Sequence, residues 1–144
     1  MTWTLVVPLK PLARAKTRLS DAAGDGPRAS LALAFAQDTV GAALASRWVR
    51  EVTVVTDDPL AGRELSALGA RILPDSPGLG LNAALAHGAR AVRGERPEAA
   101  VAALNADLPA LRTAELDLVL EAAAGFSRAF LADAAGVGTT LLSA

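Results

Sequence analysis

Lys10, Arg14, Lys16 and Arg18 follow in close succession on the apolar run Leu5-Val6-Val7. Pro8 and Pro11 end that run, because neither can donate to a central strand ladder, and they stiffen the segment that follows. Lys meets a phosphate oxygen as a compact charge and Arg as a planar fork. A strand opening into a stiff loop with several cations reads as a polyphosphate cradle. A solvated basic turn leading into a helix fits the same residues.

Asp107 follows the apolar run Val101–Leu104 and precedes Pro109. A carboxylate at a strand's carboxyl end, across from a cation-rich loop, suits Mg²⁺, which is held by one or two carboxylates plus substrate phosphates and waters. An Asp that merely opens a turn has the same spacing. Asp75 and Asn82 bracket the loop Ser76–Gly80. Asn82 offers the donor and acceptor that base recognition requires, and it also stands where a helix N-cap would. Gly78 and Gly80 let a backbone approach a ligand closely, or simply flex. Gly136, Gly138, Thr139 and Thr140 read as a small-residue loop with two hydroxyls, suited to a carboxylate or phosphate or to a plain β-turn. Asp133 lies near it as a second carboxylate. His87, the single histidine, reads as a packing or surface residue, and there is no cysteine. Disulfides and thiolate metal sites are therefore excluded, and nucleophilic triad catalysis has no support. The Gly-x-Gly-x-x-Gly and Walker A patterns are also absent, which argues against a dinucleotide dehydrogenase and a P-loop NTPase.

The elements that must position these residues alternate between strand and helix. Strands are predicted at Thr4–Val7, Val52–Thr56, Ala70–Leu73, Ala99–Leu104 and Ala129–Ala132. Val52–Thr56 is the clearest, being β-branched throughout. Helices are predicted from Arg28 to Ser46, from Asp57-Asp58-Pro59 to a stop at Gly69, from Leu81 to Arg93, and after a Thr113 cap. In the first helix, Leu31, Leu33, Ala34, Phe35, Val40, Ala43 and Leu44 fall near helical spacing. Strands apolar on both faces and separated by helices predict a doubly wound α/β fold with a mostly parallel sheet. In such folds ligands bind beyond the carboxyl ends of the strands, where strand order reverses. Lys10, Asp57, Asp75, Asn82, Asp107 and Thr139 all follow predicted strands.

The bulk properties agree. The 144 residues are 52% apolar and 20% charged, which suits one folded domain. A net charge of −1 argues against a general nucleic-acid surface, so any anion site must be local. No apolar run is long enough to span a bilayer and no secretory signal is visible, so a cytoplasmic location is expected, with neither membrane nor nucleic acid as partner.

Taken together, several segments resemble the guanylyltransferases of coenzyme F420 biosynthesis, which act on phosphoenolpyruvate or 2-phospho-L-lactate. They are Val7-Pro8-Leu9-Lys10-Pro11-Leu12 with Ala15-Lys16-Thr17-Arg18-Leu19, then Arg28, Asp38-Thr39, Val54-Val55-Thr56-Asp57, Leu81-Asn82-Ala83-Ala84-Leu85, Ala106-Asp107-Leu108-Pro109-Ala110-Leu111, and Ala132-Asp133 with Gly138-Thr139-Thr140-Leu141-Leu142. Asp-Leu-Pro alone is shared with wider nucleotidyltransferases; the combination is more specific.

The resemblance implies a Rossmann-like nucleotidyltransferase fold and transfer of GMP from GTP to a three-carbon phospho-acid, with release of pyrophosphate. It implies Asp107 as the Mg²⁺ ligand and Lys10 and Lys16 on the triphosphate; Asp133, by its place near the small-residue loop, joins the expected metal set as a second carboxylate. Asn82 becomes a nucleoside contact, and Thr139 with Thr140 binds the acceptor. Pro8, Arg18 and Asp75 join the expected nucleotide-binding set. In the actinobacterial branch, whose composition this chain shares, the acceptor is phosphoenolpyruvate. Family members continue past Gly-Thr-Thr-Leu-Leu, so the chain is expected to lack their C-terminal segment. A sheet edge left bare by that difference would favour association into a homo-oligomer. Two alternatives stand beside this reading: a nucleotidyltransferase acting on molybdopterin or a sugar phosphate, and a nucleotide-binding module without catalysis.

Overall fold

The computed structural model describes residues 2–11, 25–75, 80–106, 108, 110–124, 129–132 and 139–143; for 25–29, 81–82, 129–132 and 139–143 it describes the backbone alone. The elements are β1 (Trp3–Pro8), α1 (Asp25–Leu44), β2 (Val49–Val55), α2 (Pro59–Leu68), β3 (Arg71–Leu73), α3 (Leu81–Glu95), β4 (Ala100–Leu104), α4 (Thr113–Ala123), β5 (Ala129–Ala132) and β6 (Thr139–Ser143). The sheet order is β3-β2-β1-β4-β6-β5. β3, β2, β1 and β4 are parallel, and β6 runs antiparallel to both β4 and β5.

Alternation along the central strands divides the core into two layers, as a period of two requires. Trp3, Leu5 and Val7 of β1, Val52 and Val54 of β2, and Ala102 and Leu104 of β4 pack with α1, α2 and α4. Val6, Val55 and Val101 face the other way, against Ala84 and Val92 of α3. The mostly parallel sheet with helices on both faces is therefore as predicted.

Local signals explain the helix ends. Asp58 caps α2 by accepting the Ala61 N–H at 2.9 Å, Pro59 follows at the first helical position, and Gly69 ends the helix in the left-handed region at φ 114°. Three expectations need correction. α1 begins at Asp25, three residues before the predicted start at Arg28, and Pro27 sits within its first turn. Its buried stripe is Ala32, Ala36, Thr39, Val40 and Ala43, while Leu31 is exposed; small side chains bring the helix close to the sheet and the larger leucine turns out. At α4 the N-cap position is Arg112, whose N–H donates to Glu115 Oε1 at 3.2 Å. Thr113 instead donates its hydroxyl to the Ala42 carbonyl of α1 at 2.8 Å.

α3 lies directly on the sheet because Gly88 has no side chain. A Cβ there would stand 2.6 Å from Val6 Cγ1 and 3.0 Å from Val55 Cγ2. Gly88→Ala should gain about 1 kcal/mol of helix propensity and lose about 1–3 kcal/mol to overpacking. A lowered urea midpoint is the expected outcome, with Gly88→Val lower still; an unchanged midpoint for both would contradict this packing.

Candidate active site at the carboxyl edge of the sheet

The strand order reverses at β1. From β1 the chain moves outward through β2 and β3, then returns to β4 on β1's other side. The parallel registers align the strand ends: Pro8 pairs with Val55, Val55 with Leu73, and Val6 with Ala103 one residue before Leu104. The loops leaving β1 and β4 thus emerge side by side toward the layer of α1 and α4 and border one crevice beyond the strand ends, the usual ligand position in such sheets. Pro8 is the last residue of β1, and Lys10 is exposed two residues beyond it.

The ends of β2 and β3 are tied into one corner. Leu9 N–H donates to the Val55 carbonyl at 3.0 Å, and Thr56 N–H to the Leu73 carbonyl at 2.9 Å. The Thr56 hydroxyl, on a buried residue, accepts the Asp58 N–H at 3.1 Å. Asp57 Oδ1 accepts the Asp75 N–H at 2.8 Å and so holds the chain leaving β3 against the end of β2. Asp75 Oδ1 is buried and has no hydrogen-bond partner among the described residues. A buried acceptor left unmet costs about 1–3 kcal/mol, and groups kept at such a cost are candidates for ligand contact. Asp57 was recognised in the sequence as a post-strand residue; its part in fixing Asp75 was not, because the two are brought together by strand pairing.

The exit from β4 is held by α1. Thr39, fully buried, donates its hydroxyl to the Phe35 carbonyl at 2.8 Å and accepts the Leu108 N–H at 2.8 Å. Ala106, Leu108 and Leu111 pack on the core beneath. Thr139 and Thr140 do not form the loop or turn expected of them. They begin β6, whose Leu141 pairs with Leu104. Their backbone therefore lies past the end of β4, on the same edge as the crevice. Thr and Leu suit a pleated surface, and the flanking glycines concealed that signal.

Asn82 is the second residue of α3, not its cap; the cap position belongs to Gly80, at φ 103°. Arg14, Lys16, Arg18, Gly78, Asp107, Asp133, Gly136 and Gly138 lie outside the described residues. The edge thus brings together Pro8, Lys10, Asp57, Asp75, Asn105, Ala106, Leu108 and the backbone of Thr139 and Thr140. Among the described residues no group of three or more His, Asp or Glu is placed to hold a metal.

Charge at the opposite edge is already spent within the protein. Arg71 hydrogen-bonds both oxygens of Glu95 and lies 3.7 Å from Glu51; Arg96 reaches Glu51 at 3.5 Å and the Thr4 hydroxyl at 2.8 Å. The Arg71 hydrogen bond holds the Glu95 carboxyl below its usual range. A groove of ≈ 570 Å³ there, lined by Thr2, Arg50, Arg96, Glu98 and Ala100 among others, lies at the amino ends of β1 and β4, at the other end of the strands from the crevice.

Comparison with solved structures shows the class. A nucleotide-diphospho-sugar transferase from Desulfovibrio desulfuricans G20 aligns with a TM-score of 0.77 at 19% identity, over 99% of this chain and 63% of that one. CMP:2-keto-3-deoxy-manno-octonic acid synthetase complexed with CTP aligns with a TM-score of 0.58 at 15% identity, over 100% of this chain and 72% of that one. The fold is the Rossmann-like nucleotidyltransferase fold. Residues 3–144 match the family described as "Guanylyl transferase CofC like", and the chain belongs to that family. Phosphoenolpyruvate guanylyltransferase of Streptomyces avermitilis is 73% identical over 144 residues, covering 100% of this chain and 67% of that protein. The enzymes of that name from Streptomyces scabiei and Thermomonospora curvata are 71% and 65% identical, over 100% and 98% of this chain and 68% and 61% of theirs. The chain thus spans about two-thirds of the length of these relatives. No helix among the described residues is long and apolar enough to cross a membrane.

Because Asp75 Oδ1 lacks a partner among the described residues, removing it should not harm the unliganded fold. Asp75→Ala is expected to leave the urea denaturation free energy unchanged or to raise it by about 1 kcal/mol. A clear loss of stability would show that the carboxylate serves structure.

Proposed function

We propose that this protein transfers GMP from GTP to phosphoenolpyruvate, releasing pyrophosphate, as a step of coenzyme F420 biosynthesis in the cytoplasm. The observation that carries the reading is 73% identity along the whole chain to an enzyme named for that activity. The carboxyl edge supplies a place for it.

An acceptor phosphate oxygen attacks the α-phosphorus of GTP in line, and the bond from that phosphorus to the bridging oxygen of the β-phosphate breaks. The attacking oxygen is already anionic and needs no strong base. Bringing two anions together makes charge neutralisation the main task. Lys10 stands where the β1 loop opens and would meet the triphosphate, with Lys16 and Arg18 sharing its charge. Pro8 fixes the direction in which that loop leaves the sheet. Asp75 accepts hydrogen bonds only, and its unmet oxygen suits the adjacent N–H groups on a guanine edge; Asn82 would add a second base contact. Thr139 and Thr140, beside the β4 exit, would hold the acceptor.

The donor set at this edge is made of oxygens, and the chain contains no cysteine, which suits a hard cation such as Mg²⁺. Asp107 would hold it, with Asp133 as a second carboxylate; the bound ion supplies neutralisation of charge developing on the leaving pyrophosphate.

Asp107→Asn should reduce Mg²⁺-dependent pyrophosphate release about a hundred- to thousandfold with an unchanged circular dichroism spectrum. An undiminished rate refutes the metal assignment. In the same assay, product is expected with phosphoenolpyruvate; product with 2-phospho-L-lactate, molybdopterin or a sugar 1-phosphate alone would reassign the acceptor, and GTP binding without product would leave a nucleotide-binding module.

A further inference from the structure

α1 carries no residue of the proposed chemistry, yet it is stitched to the segment that leaves β4. Ser46, two residues past its end, hydrogen-bonds Asp117, Thr113 donates to the Ala42 carbonyl at 2.8 Å, and Leu108 N–H donates to Thr39 Oγ1 at 2.8 Å. The first two fasten α4. The third acts on the loop itself, at the residue after Asp107 in the chain.

We infer that Thr39 is a positioning residue for catalysis, holding the backbone of the β4 exit loop through the Leu108 amide. This rests on the GMP-transfer reading above. A threonine hydroxyl has one proton to give and can accept in return. Here the proton goes to the Phe35 carbonyl at 2.8 Å, so the oxygen lone pairs face the Leu108 N–H. The bond has one direction and cannot be rearranged by rotating the hydroxyl. Thr39 is fully buried, so water cannot replace it. The branched side chain has restricted rotamers in a helix, and Val40 and Ala36 beside it are also fully buried. The loop therefore inherits its placement from a rigid helix. Val, with the same shape, leaves the Leu108 amide without its acceptor; Ser keeps the acceptor and loses only a methyl group.

That difference separates positioning from packing. Thr39→Val and Thr39→Ser would be compared with the wild-type protein by three measurements: Leu108 amide hydrogen exchange by NMR, Mn²⁺ affinity of the GTP complex by electron paramagnetic resonance, and steady-state GMP transfer. Outer partners of a metal ligand typically cost about 10–100-fold in metal affinity or activity when removed. Thr39→Val should expose the Leu108 amide to exchange, weaken Mn²⁺ and lower kcat within that range, with KM for GTP little changed. Thr39→Ser should restore all three even where its melting temperature is the lower of the two. Unaltered Mn²⁺ affinity and kcat in an active Thr39→Val protein overturn this inference alone, as does activity that simply follows melting temperature across the variants. A wild-type protein that transfers no GMP overturns the functional reading and this inference together.

Discussion

β1 has a paired strand on each edge and a helical layer on each face, and this double enclosure governs the molecule. Leu5, Val6 and Val7 are sealed from water, so beyond Thr4 the strand has no polar outlet until Pro8. Its chemistry can appear only where it ends, at Pro8. Because β2 and β4 take its two edges in parallel register, their ends come to the same level. The crevice is thus a by-product of enclosing one apolar strand. Nothing else in the fold needs to be built specially for it.

Around that crevice the supports are short hydroxyl and carboxylate hydrogen bonds, in contrast to the ion pairs at the far edge. Thr56 and Asp57 hold the corner between β2 and β3, and Thr39 holds the exit from β4. The hydroxyls of Thr56 and Thr39 fix direction without adding charge. A polyanionic ligand therefore meets local potential set by the binding residues, while Arg71, Arg96, Glu51 and Glu95 neutralise one another at a distance.

Much of this was legible in the residues themselves. Val52–Thr56, the Asp58-Pro59 start and the Gly69 stop are local signals, and local structure obeys them. The rule that ligands gather past strand ends placed Lys10 and Asp75 correctly on one edge. What stayed hidden depends on partners far away in the chain. Thr39 meets Leu108 across a separation of 69 residues, and nothing near Thr39 announces it. β6 was concealed because Gly138-Thr139-Thr140 has the composition of a turn, whereas its conformation follows from the open edge of β4. In α1, alanine and leucine satisfy the same period, and only the nearness of the sheet selects the alanine stripe. For the site, the roles given to Lys16, Arg18, Asp107 and Asp133 rest on sequence position and, for Lys16 and Asp107, on family resemblance, because these residues lie outside the described ones.

The order β4-β6-β5 also bears on how the protein emerges from the ribosome. β5 is made before β6, yet β6 lies between it and the rest of the sheet. The parallel strands β1 to β4 can assemble while the chain is still lengthening, as N-terminal portions generally do. β5 must wait unpaired, and β4 keeps a bare edge until β6 arrives. The nascent chain thus carries a sticky border from the completion of β4 until β6 is made.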